Sequence, residues 1–311
     1  MEILDAKGTA GRLPYPDLAD SIREVALAMG SDALRAPPRL VLPLQEGGVL
    51  LVMPASDAGI SITKLVTVHP ENQGRGLPTI QGEVVVMDAT TGERLGLLEG
   101  GVLTARRTAA LSMLAARELA PQPGGPLLVV GAGAQGRAHL DAFHAGLGVS
   151  KVFTSSRSQK SAVSLAGHAR SLGMEAEAVE GPEEVLDEVN LVVTATTSVE
   201  PVLPEEVPSG VFVAAVGSFE PGAAELPPAL ISASRVFVDT VEGAKDEAGD
   251  LIQAESAGAF DWEDATTLES ALRSSGRPEG TIVFKSVGHA LWDLAAARTA
   301  FVGEARSEPS A

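Results

Sequence analysis

The fold is decided by the stretch LLVVGAGAQGRAHL at residues 127–140, which contains the spacing Gly131-x-Gly133-x-x-Gly136. The glycines directly follow a short apolar run and precede a helical pattern. In a dinucleotide-binding turn the first glycine permits the tight bend, the second lets a pyrophosphate approach the backbone, and the third allows close helix–strand packing. The amides at the helix start, at Ala134 and Gln135, then face the phosphates. We therefore predict a dinucleotide site here, the alternative being a plain strand–helix turn.

The segment KVFTSSRSQK at residues 151–160 contains the end of the next strand, where such sites select their cofactor. An acidic residue there would accept hydrogen bonds from the ribose hydroxyls of NAD and would repel a phosphate. The segment has no acid and instead offers Ser156, Arg157 and Ser158. Because a guanidinium binds a 2′-phosphate through two parallel hydrogen bonds, we predict NADPH, with NADH as a weaker donor. A solvated loop with an ordinary surface arginine is the alternative.

The regions on either side of the glycine turn differ in their pattern. Downstream, apolar strands alternate with helical stretches, which predicts parallel βαβ units and a sheet covered on both faces. Residues 39–100 instead hold β-branched runs separated by turn residues, with a hairpin turn at 88–93, and predict a mostly antiparallel sheet. The run PQPGGP at 121–126 is the best domain boundary. A last helix is predicted from Ser286 to Phe301, followed by a polar tail that we expect to be mobile.

The composition limits the classes of partner. The 311 residues carry 41 acidic against 23 basic side chains, a formal net charge of −18. This balance argues against nucleic acid and anionic membranes and favours a small-molecule partner. Cysteine is absent, which excludes disulfides, zinc–thiolate sites and thiol nucleophiles, and we assign no metal site. The amino-terminal residues lack the layout of a secretory signal, and no apolar run approaches the ~20 residues of a membrane helix. We expect a cytoplasmic protein.

Two cations interrupt apolar faces upstream of the boundary. In the strand GISITKLVTVH at 59–69, alternation puts Lys64 on one face with isoleucines and valines. In a helix predicted over 102–119, Arg107 falls on the inner face with leucines. Arg39 follows a Pro-Pro pair at the start of a strand. Because an unpaired buried cation is costly, these residues predict an anion site, most simply for a substrate carboxylate. A strand-edge lysine that reaches water and an ordinary surface arginine are the alternatives.

Six ordered segments make the chain resemble the ornithine cyclodeaminase/μ-crystallin family over nearly its full length. They are KLVTVHPEN (64–72), LTARRTAA (103–110), GAGAQG (131–136), TATTS (194–198), VGSFEP (216–221) and FKSVGHALWD (284–293). Six matches in order are far more specific than the glycine triplet alone.

The resemblance implies an α/β fold in which a Rossmann dinucleotide-binding domain, residues 121–283, is inserted into an α+β substrate-binding and dimerisation domain. Residues 1–120 form the first part of the substrate-binding and dimerisation domain. Residues 284–311 return to that domain as a helix followed by the tail. A homodimer is implied, and so is a substrate carboxylate held by Arg39, Lys64 and Arg107. Cofactor contacts are implied for Thr104, Thr108, Thr194, Ala195, Thr196, Val216, Gly217 and Ser218.

Phe219 distinguishes branches of the family. Cyclodeaminases carry an Asp at this position that handles the amine during ring closure, and phenylalanine can neither accept a proton nor pair with an ammonium. The resemblance therefore points to the Δ1-pyrroline-2-carboxylate reductase branch. Its reaction is NAD(P)H-dependent reduction of that cyclic imino acid, or of Δ1-piperideine-2-carboxylate, to L-proline or L-pipecolate. Lys64 is the candidate catalytic residue, as a proton relay if burial lowers its pKa.

Three alternatives to this function stay open. An alanine-dehydrogenase-type enzyme would share the cofactor and carboxylate sites and would use pyruvate and ammonia. A cyclodeaminase is disfavoured by Phe219. A μ-crystallin-like protein would bind NADPH and a ligand with negligible turnover.

Overall fold

The structure is a computed structural model that describes residues 1–302, and the polar tail lies outside the described residues. Contacts divide the chain into two compact units. The first unit comprises Met1–Arg107 with the chain from Ala290 onward, and the second comprises Thr108–His289. Along the sequence, the second unit is thus an insertion in the first.

The strands are Glu2–Leu4 (β1), Leu40–Pro43 (β2), Val49–Ser56 (β3), Ile60–Val68 (β4), Ile80–Asp88 (β5), Arg94–Glu99 (β6), Leu127–Val130 (β7), Lys151–Ser155 (β8), Glu175–Ala178 (β9), Leu191–Thr194 (β10), Phe212–Ala215 (β11), Arg235–Val238 (β12), Thr266–Thr267 (β13) and Ile282–Lys285 (β14). The α-helices are Ala6–Gly11 (α1), Tyr15–Ala28 (α2), Gly100–Leu119 (α3), Ala134–Leu147 (α4), Gln159–Ser171 (α5), Pro228–Ser232 (α6), Val241–Glu247 (α7), Gly249–Ser256 (α8), Leu268–Arg273 (α9) and Ala290–Phe301 (α10).

The first unit is built on a six-stranded sheet with the order β1-β6-β5-β4-β3-β2. Strands β2 to β6 pair antiparallel, as predicted for residues 39–100. The predicted hairpin turn joins β5 to β6, and the carboxylate of Asp88 accepts hydrogen bonds from the backbone N–H groups of Thr90 and Thr91. Strand β1, which the sequence pattern did not reveal, pairs in parallel with β6.

One face of this sheet is covered and the other is open. Along β4, Ile62, Lys64 and Val66 are buried, whereas Leu65 between them is 39% exposed. Helix α10 packs against β3 and β4, and α2 packs against α10. The prediction that Lys64 shares a face with apolar residues is therefore confirmed.

The start predicted for the last helix is wrong by four residues. The helix begins at Ala290 rather than at Ser286. In the second unit the carboxylate of Asp239 accepts hydrogen bonds from Ser286 Oγ (2.8 Å) and from the Gly288 N–H (2.9 Å). Gly288 has φ of +87°. This left-handed residue ends any helical path through the segment, because a right-handed helix requires negative φ.

The second unit contains an eight-stranded sheet with the order β13-β12-β14-β11-β10-β7-β8-β9. All of its neighbouring strands run parallel, as predicted. The chain builds β8 and β9 on one side of β7 and then returns to place β10 on the other side. Ligands of such sheets bind at this reversal, beyond the carboxyl ends of the strands.

The strands nearest this reversal are buried along their whole length, since every residue of β7, β10 and β11 is buried. That pattern is typical of a sheet covered on both faces. The chain is thus a mixed α/β protein with one parallel sheet and a separate, mainly antiparallel sheet. Among the described residues, no helix combines the length and apolar character that crossing a membrane requires.

Candidate active site

The glycine turn joins β7 to α4 in the second unit. Gly131 has φ of +109°, and a Cβ there would overlap the backbone carbonyl of Ala195, so this position needs glycine on two counts. A Cβ at Gly136 would overlap the carbonyl of Gly131, which explains the close helix–strand packing predicted for the third glycine. A Cβ at Gly133 would meet nothing within 4 Å. The space in front of the second glycine is therefore open.

The predicted cofactor residues of the second unit follow the carboxyl ends of four parallel strands. Gly131 follows β7, Ser156 follows β8, Thr194 ends β10 and Val216 follows β11. The turn and the β8 segment are joined directly, because the Gly131 N–H donates to the carbonyl of Ser155 at 2.8 Å. The sheet therefore brings together Gly131, Gly133, Ala134, Gln135, Gly136, Ser156, Arg157, Ser158, Thr194, Ala195, Thr196, Val216, Gly217 and Ser218 at one edge.

Arg157 is exposed at this edge, one residue before Ser158, the N-cap of α5. Within residues 1–302 it has no hydrogen bond or ion pair. Its guanidinium is therefore available to an anionic group.

Glu225 is a buried carboxylate that joins two of these segments. One oxygen accepts hydrogen bonds from the N–H and the hydroxyl of Thr196, at 2.7 and 2.9 Å. The other accepts from Thr194 Oγ1 at 3.0 Å and from the Gly217 N–H at 2.7 Å. Four donors on one carboxylate fix the loops after β10 and β11 relative to each other.

The buried ion pair of Asp250 and Lys285 stabilises the same loops. Asp250 accepts hydrogen bonds from the N–H groups of Glu225 and Leu226, at 2.6 and 2.9 Å. Its other oxygen lies 2.6 Å from Nζ of Lys285, and that ammonium donates to the carbonyl of Ser218 at 2.7 Å. No sequence motif indicated this arrangement, because its members come from segments that are far apart along the chain.

The first unit contains a separate cluster of buried charges. Nζ of Lys64 on β4 lies 3.0 Å from Oδ1 of Asp293, and Nε of Arg107 on α3 lies 3.1 Å from the same oxygen. The side chains are 4%, 7% and 0% exposed for Lys64, Arg107 and Asp293. The predicted inward orientation of both cations is confirmed. The sequence analysis missed Asp293, although it lies in the last family segment.

Two buried cations share one carboxylate, so the cluster keeps an excess of positive charge. Burial and the charges of Arg107 and Arg39 lower the pKa of Lys64, Asp293 raises it, and together these influences bring it from its usual 10.5 to about 8. Arg39 is half-buried just before β2 and is close enough for its charge to affect Lys64. Such a cluster can bind an anion, and Lys64 can exchange a proton near neutral pH.

The remaining predicted residues are less informative. The hydroxyl of Thr104 donates to the carbonyl of Gly100 at 2.7 Å within α3, and Thr108 is buried in the same helix. Phe219 is 47% exposed in the loop after β11. No titratable or nucleophilic group therefore stands at the position where cyclodeaminases carry their Asp.

The edge beyond β7 fits a nicotinamide dinucleotide. The space at Gly133 is open, and α4 begins with no side-chain cap on its first N–H groups. These N–H groups lack partners within their own helix and attract phosphate. Oε1 of Gln135 is buried without a hydrogen-bond partner among the described residues.

Comparison with known proteins gives consistent results. The model of the ornithine cyclodeaminase/mu-crystallin family matches residues 11–307. The Δ1-pyrroline-2-carboxylate/Δ1-piperideine-2-carboxylate reductase of Azospirillum brasilense is 38% identical over 298 residues, covering 96% of this chain and 94% of that protein. The structure of the Thermococcus litoralis Δ1-pyrroline-2-carboxylate reductase in complex with NADH and L-proline matches with a TM-score of 0.90 at 27% identity, covering 98% of both chains. An archaeal alanine dehydrogenase dimer with bound NAD gives a TM-score of 0.87 at 25% identity, covering 100% of this chain and 98% of that one.

Proposed function

This chain belongs to the ornithine cyclodeaminase/mu-crystallin family, and we propose that it reduces a cyclic imino acid with NAD(P)H. The substrate is Δ1-pyrroline-2-carboxylate or Δ1-piperideine-2-carboxylate, and the product is L-proline or L-pipecolate. The names of the relatives support this substrate class. The observation in this chain that carries the proposal is the buried cluster of Lys64 and Arg107, which share a single carboxylate counter-ion.

In this proposal the cation cluster binds the carboxylate of the substrate. Lys64 and Arg107 donate charge-assisted hydrogen bonds to it, and Arg39 adds a third positive charge. Fixing the carboxylate orients the imine carbon that is bonded to it, and such positioning lowers the barrier by several kcal/mol in oriented systems. The chemistry is suited to α-imino acids, because the group that is held and the carbon that reacts are neighbours.

The nicotinamide dinucleotide supplies the hydride when it is bound. The imine carbon gains that hydride, the C=N double bond becomes a single bond, and the nitrogen ends with one proton. If the iminium form binds, the nitrogen already carries its proton. If the neutral imine binds, Lys64 is the proton donor, since its pKa of about 8 lets it give up a proton near neutral pH.

We further propose NADPH as the preferred cofactor. The support is Arg157, which is exposed beside Ser156 and Ser158 without a partner among residues 1–302. A guanidinium with flanking hydroxyls suits a 2′-phosphate, and the segment contains no acid to repel one.

A homodimer is the proposed assembly. The open face of the six-stranded sheet exposes apolar side chains that share one side, namely Ile3, Leu40, Leu42 and Leu65. Exposed apolar side chains grouped on one face of a sheet are typical of a protein–protein contact. A second copy is the favoured occupant, because the matching archaeal alanine dehydrogenase is described as a dimer.

The function is tested by following NADPH oxidation with three separate substrates: Δ1-pyrroline-2-carboxylate, Δ1-piperideine-2-carboxylate, and pyruvate with ammonia. We expect turnover with at least one of the cyclic imino acids. Turnover with pyruvate and ammonia alone would replace the proposal with an alanine dehydrogenase, which the structural match to that enzyme makes the second candidate. NADPH binding without any turnover would instead support a binding protein.

A further inference from the structure

Asp293 is a buried carboxylate that the proposed reaction does not use. It lies on α10 with its side chain 0% exposed, and its Oδ1 accepts hydrogen bonds from both Lys64 and Arg107. Its second oxygen is shut off from solvent and has no hydrogen-bond partner among the described residues. Because Asp293 is fully enclosed while Lys64 and Arg107 keep a small exposed fraction, an incoming ligand reaches the cations first.

The charge balance of the cluster depends on this residue. Without a ligand, Lys64 and Arg107 together carry one more positive charge than Asp293 neutralises. A substrate carboxylate would neutralise that charge, with Arg39 as a further positive charge nearby. Burying a cation without a counter-ion is far more costly than burying a paired one, so Asp293 stabilises the cluster before any substrate is present.

We propose that Asp293 is a positioning residue that keeps Lys64 protonated, and holds Lys64 and Arg107 together, before the substrate carboxylate binds. The inference deepens the proposed function, since it rests on that function only for the identity of the substrate. Asp293 acts through the two cations and does not touch the reacting atoms.

The groups around Lys64 explain why Asp293 is needed. The combined effect of its surroundings lowers the pKa of Lys64 to about 8, with burial the largest cause and Arg107 on α3 and Arg39 before β2 acting in the same direction. Asp293 on α10 is the residue that raises it. Removal of the Asp293 charge takes away the attraction and leaves the unfavourable influences. Lys64 then becomes neutral at physiological pH, and a neutral amine forms no charge-assisted hydrogen bond with a carboxylate.

The most direct test follows the ionisation of Lys64 itself. The chain has six lysines, so ¹³C labelling of lysine gives few Cε signals, and the signal missing in Lys64→Arg identifies Lys64. In the full-length protein, we expect a titration midpoint near 8 in the wild type. In Asp293→Asn we expect a midpoint at least about one pH unit lower.

Asp57→Asn is the matched control. Asp57 lies in the same unit, accepts hydrogen bonds from the N–H groups of Gly59 and Ile60 and lies 3.6 Å from Arg298, so its replacement likewise removes the charge of a hydrogen-bonded carboxylate. We expect the Lys64 midpoint to stay at its wild-type value in this variant. An equal shift in the control would show that loss of any carboxylate charge from this unit produces the effect, and would overturn the inference.

Binding of L-proline to the NADP⁺-loaded protein gives the functional readout. With Asp293→Asn we expect affinity at neutral pH to fall about tenfold or more, and the fall to grow as pH rises. In a Lys64→Arg background, where the charge cannot be lost, Asp293→Asn should add no pH dependence. Loss by the same factor at every pH in both backgrounds would mean that Asp293 has a merely structural role.

Failure of this inference is separable from failure of the proposed function. An unchanged Lys64 midpoint in folded Asp293→Asn overturns the inference even if the wild type reduces the imino acid. If the midpoint shifts in Asp293→Asn but the wild type reduces no imino acid, the inference about Asp293 is supported and the proposed substrate is refuted. If Asp293→Asn does not fold, Asp293→Ala, which removes the same charge with a smaller side chain, takes its place, and an unchanged Lys64 midpoint in that folded variant overturns the inference.

Discussion

Oδ1 of Asp293 lies 3.0 Å from Nζ of Lys64, although 229 residues separate the two along the chain. The contact joins the last helix to the middle of the antiparallel sheet. Arg107 on α3 uses the same oxygen, so three elements meet at one charge. This arrangement turns two buried cations, each costly alone, into a cluster that is stable and still carries excess positive charge.

Stability should depend on pH through Lys64. Its pKa is lowered to about 8 in the folded protein from the usual 10.5, so between these values the unfolded chain binds more protons and stability rises with pH. Lys64→Met has no such group. As pH rises between these values, we expect the free energy of unfolding of the wild type to increase by up to about 3 kcal/mol relative to that of Lys64→Met. Urea denaturation of both proteins measures this difference. A constant difference across this range would contradict the lowered pKa of Lys64 in the folded protein.

The glycine turn offers a matched pair of substitutions. Gly136→Ala should lower the melting temperature, because its Cβ would overlap the carbonyl of Gly131. Gly133→Ala should leave the melting temperature within a few degrees, since its Cβ meets nothing within 4 Å. Gly133→Ala should nevertheless weaken NADPH binding about tenfold or more, because the methyl group occupies the path of the pyrophosphate. Calorimetry measures the melting temperatures, and fluorescence titration measures the NADPH affinity. An unchanged NADPH affinity in Gly133→Ala would mean that the dinucleotide does not bind at this turn.

Cofactor preference should change with Arg157. Arg157→Ala removes an exposed guanidinium and should raise the KM for NADPH about tenfold, with a much smaller effect on NADH, because only NADPH has the 2′-phosphate. Lys160→Ala, at a nearby exposed position, is the control and should change both constants little. Equal effects of Arg157→Ala on the two cofactors would refute the phosphate contact.

The open sheet face should control the oligomeric state. Leu65→Lys places a charge at a 39% exposed position on that face and should convert a dimer to monomers in sedimentation experiments. Val163→Lys, on α5 and 50% exposed, is the control and should leave the assembly unchanged. A wild type that sediments as a monomer, or a dimer that survives Leu65→Lys, would show that this face is not the interface.

Local pattern was sufficient to predict the parts of the fold that depend on neighbours in sequence. The spacing of Gly131, Gly133 and Gly136 gave the turn, and alternation along β4 gave the buried orientation of Lys64. Periodicity in α3 likewise put Arg107 inside, where it is 6% exposed. In each case the residue's own segment contains the signal, because helix and strand periods determine which side chains share a face.

The partners of those residues could not be predicted in the same way. Asp293 belongs to α10, and nothing in its own segment shows that its carboxylate lies beneath Lys64. Glu225 and Asp250 are similar, since each binds donors from loops that are distant in sequence. The start of α10 was misplaced for a related reason, because Asp239 holds the preceding residues in a non-helical path. Periodicity carries no information about such long-range contacts.

The central claim is that the cluster of Lys64, Arg107 and Asp293 binds a carboxylate. The most direct measurement compares L-proline with L-prolinamide, which lacks the negative charge, in binding to the NADP⁺-loaded protein. We expect L-proline to bind about 100-fold more tightly, and the ratio to fall at least about tenfold in Lys64→Met. Equal affinities in the wild type, or a ratio that Lys64→Met leaves unchanged, would contradict the account.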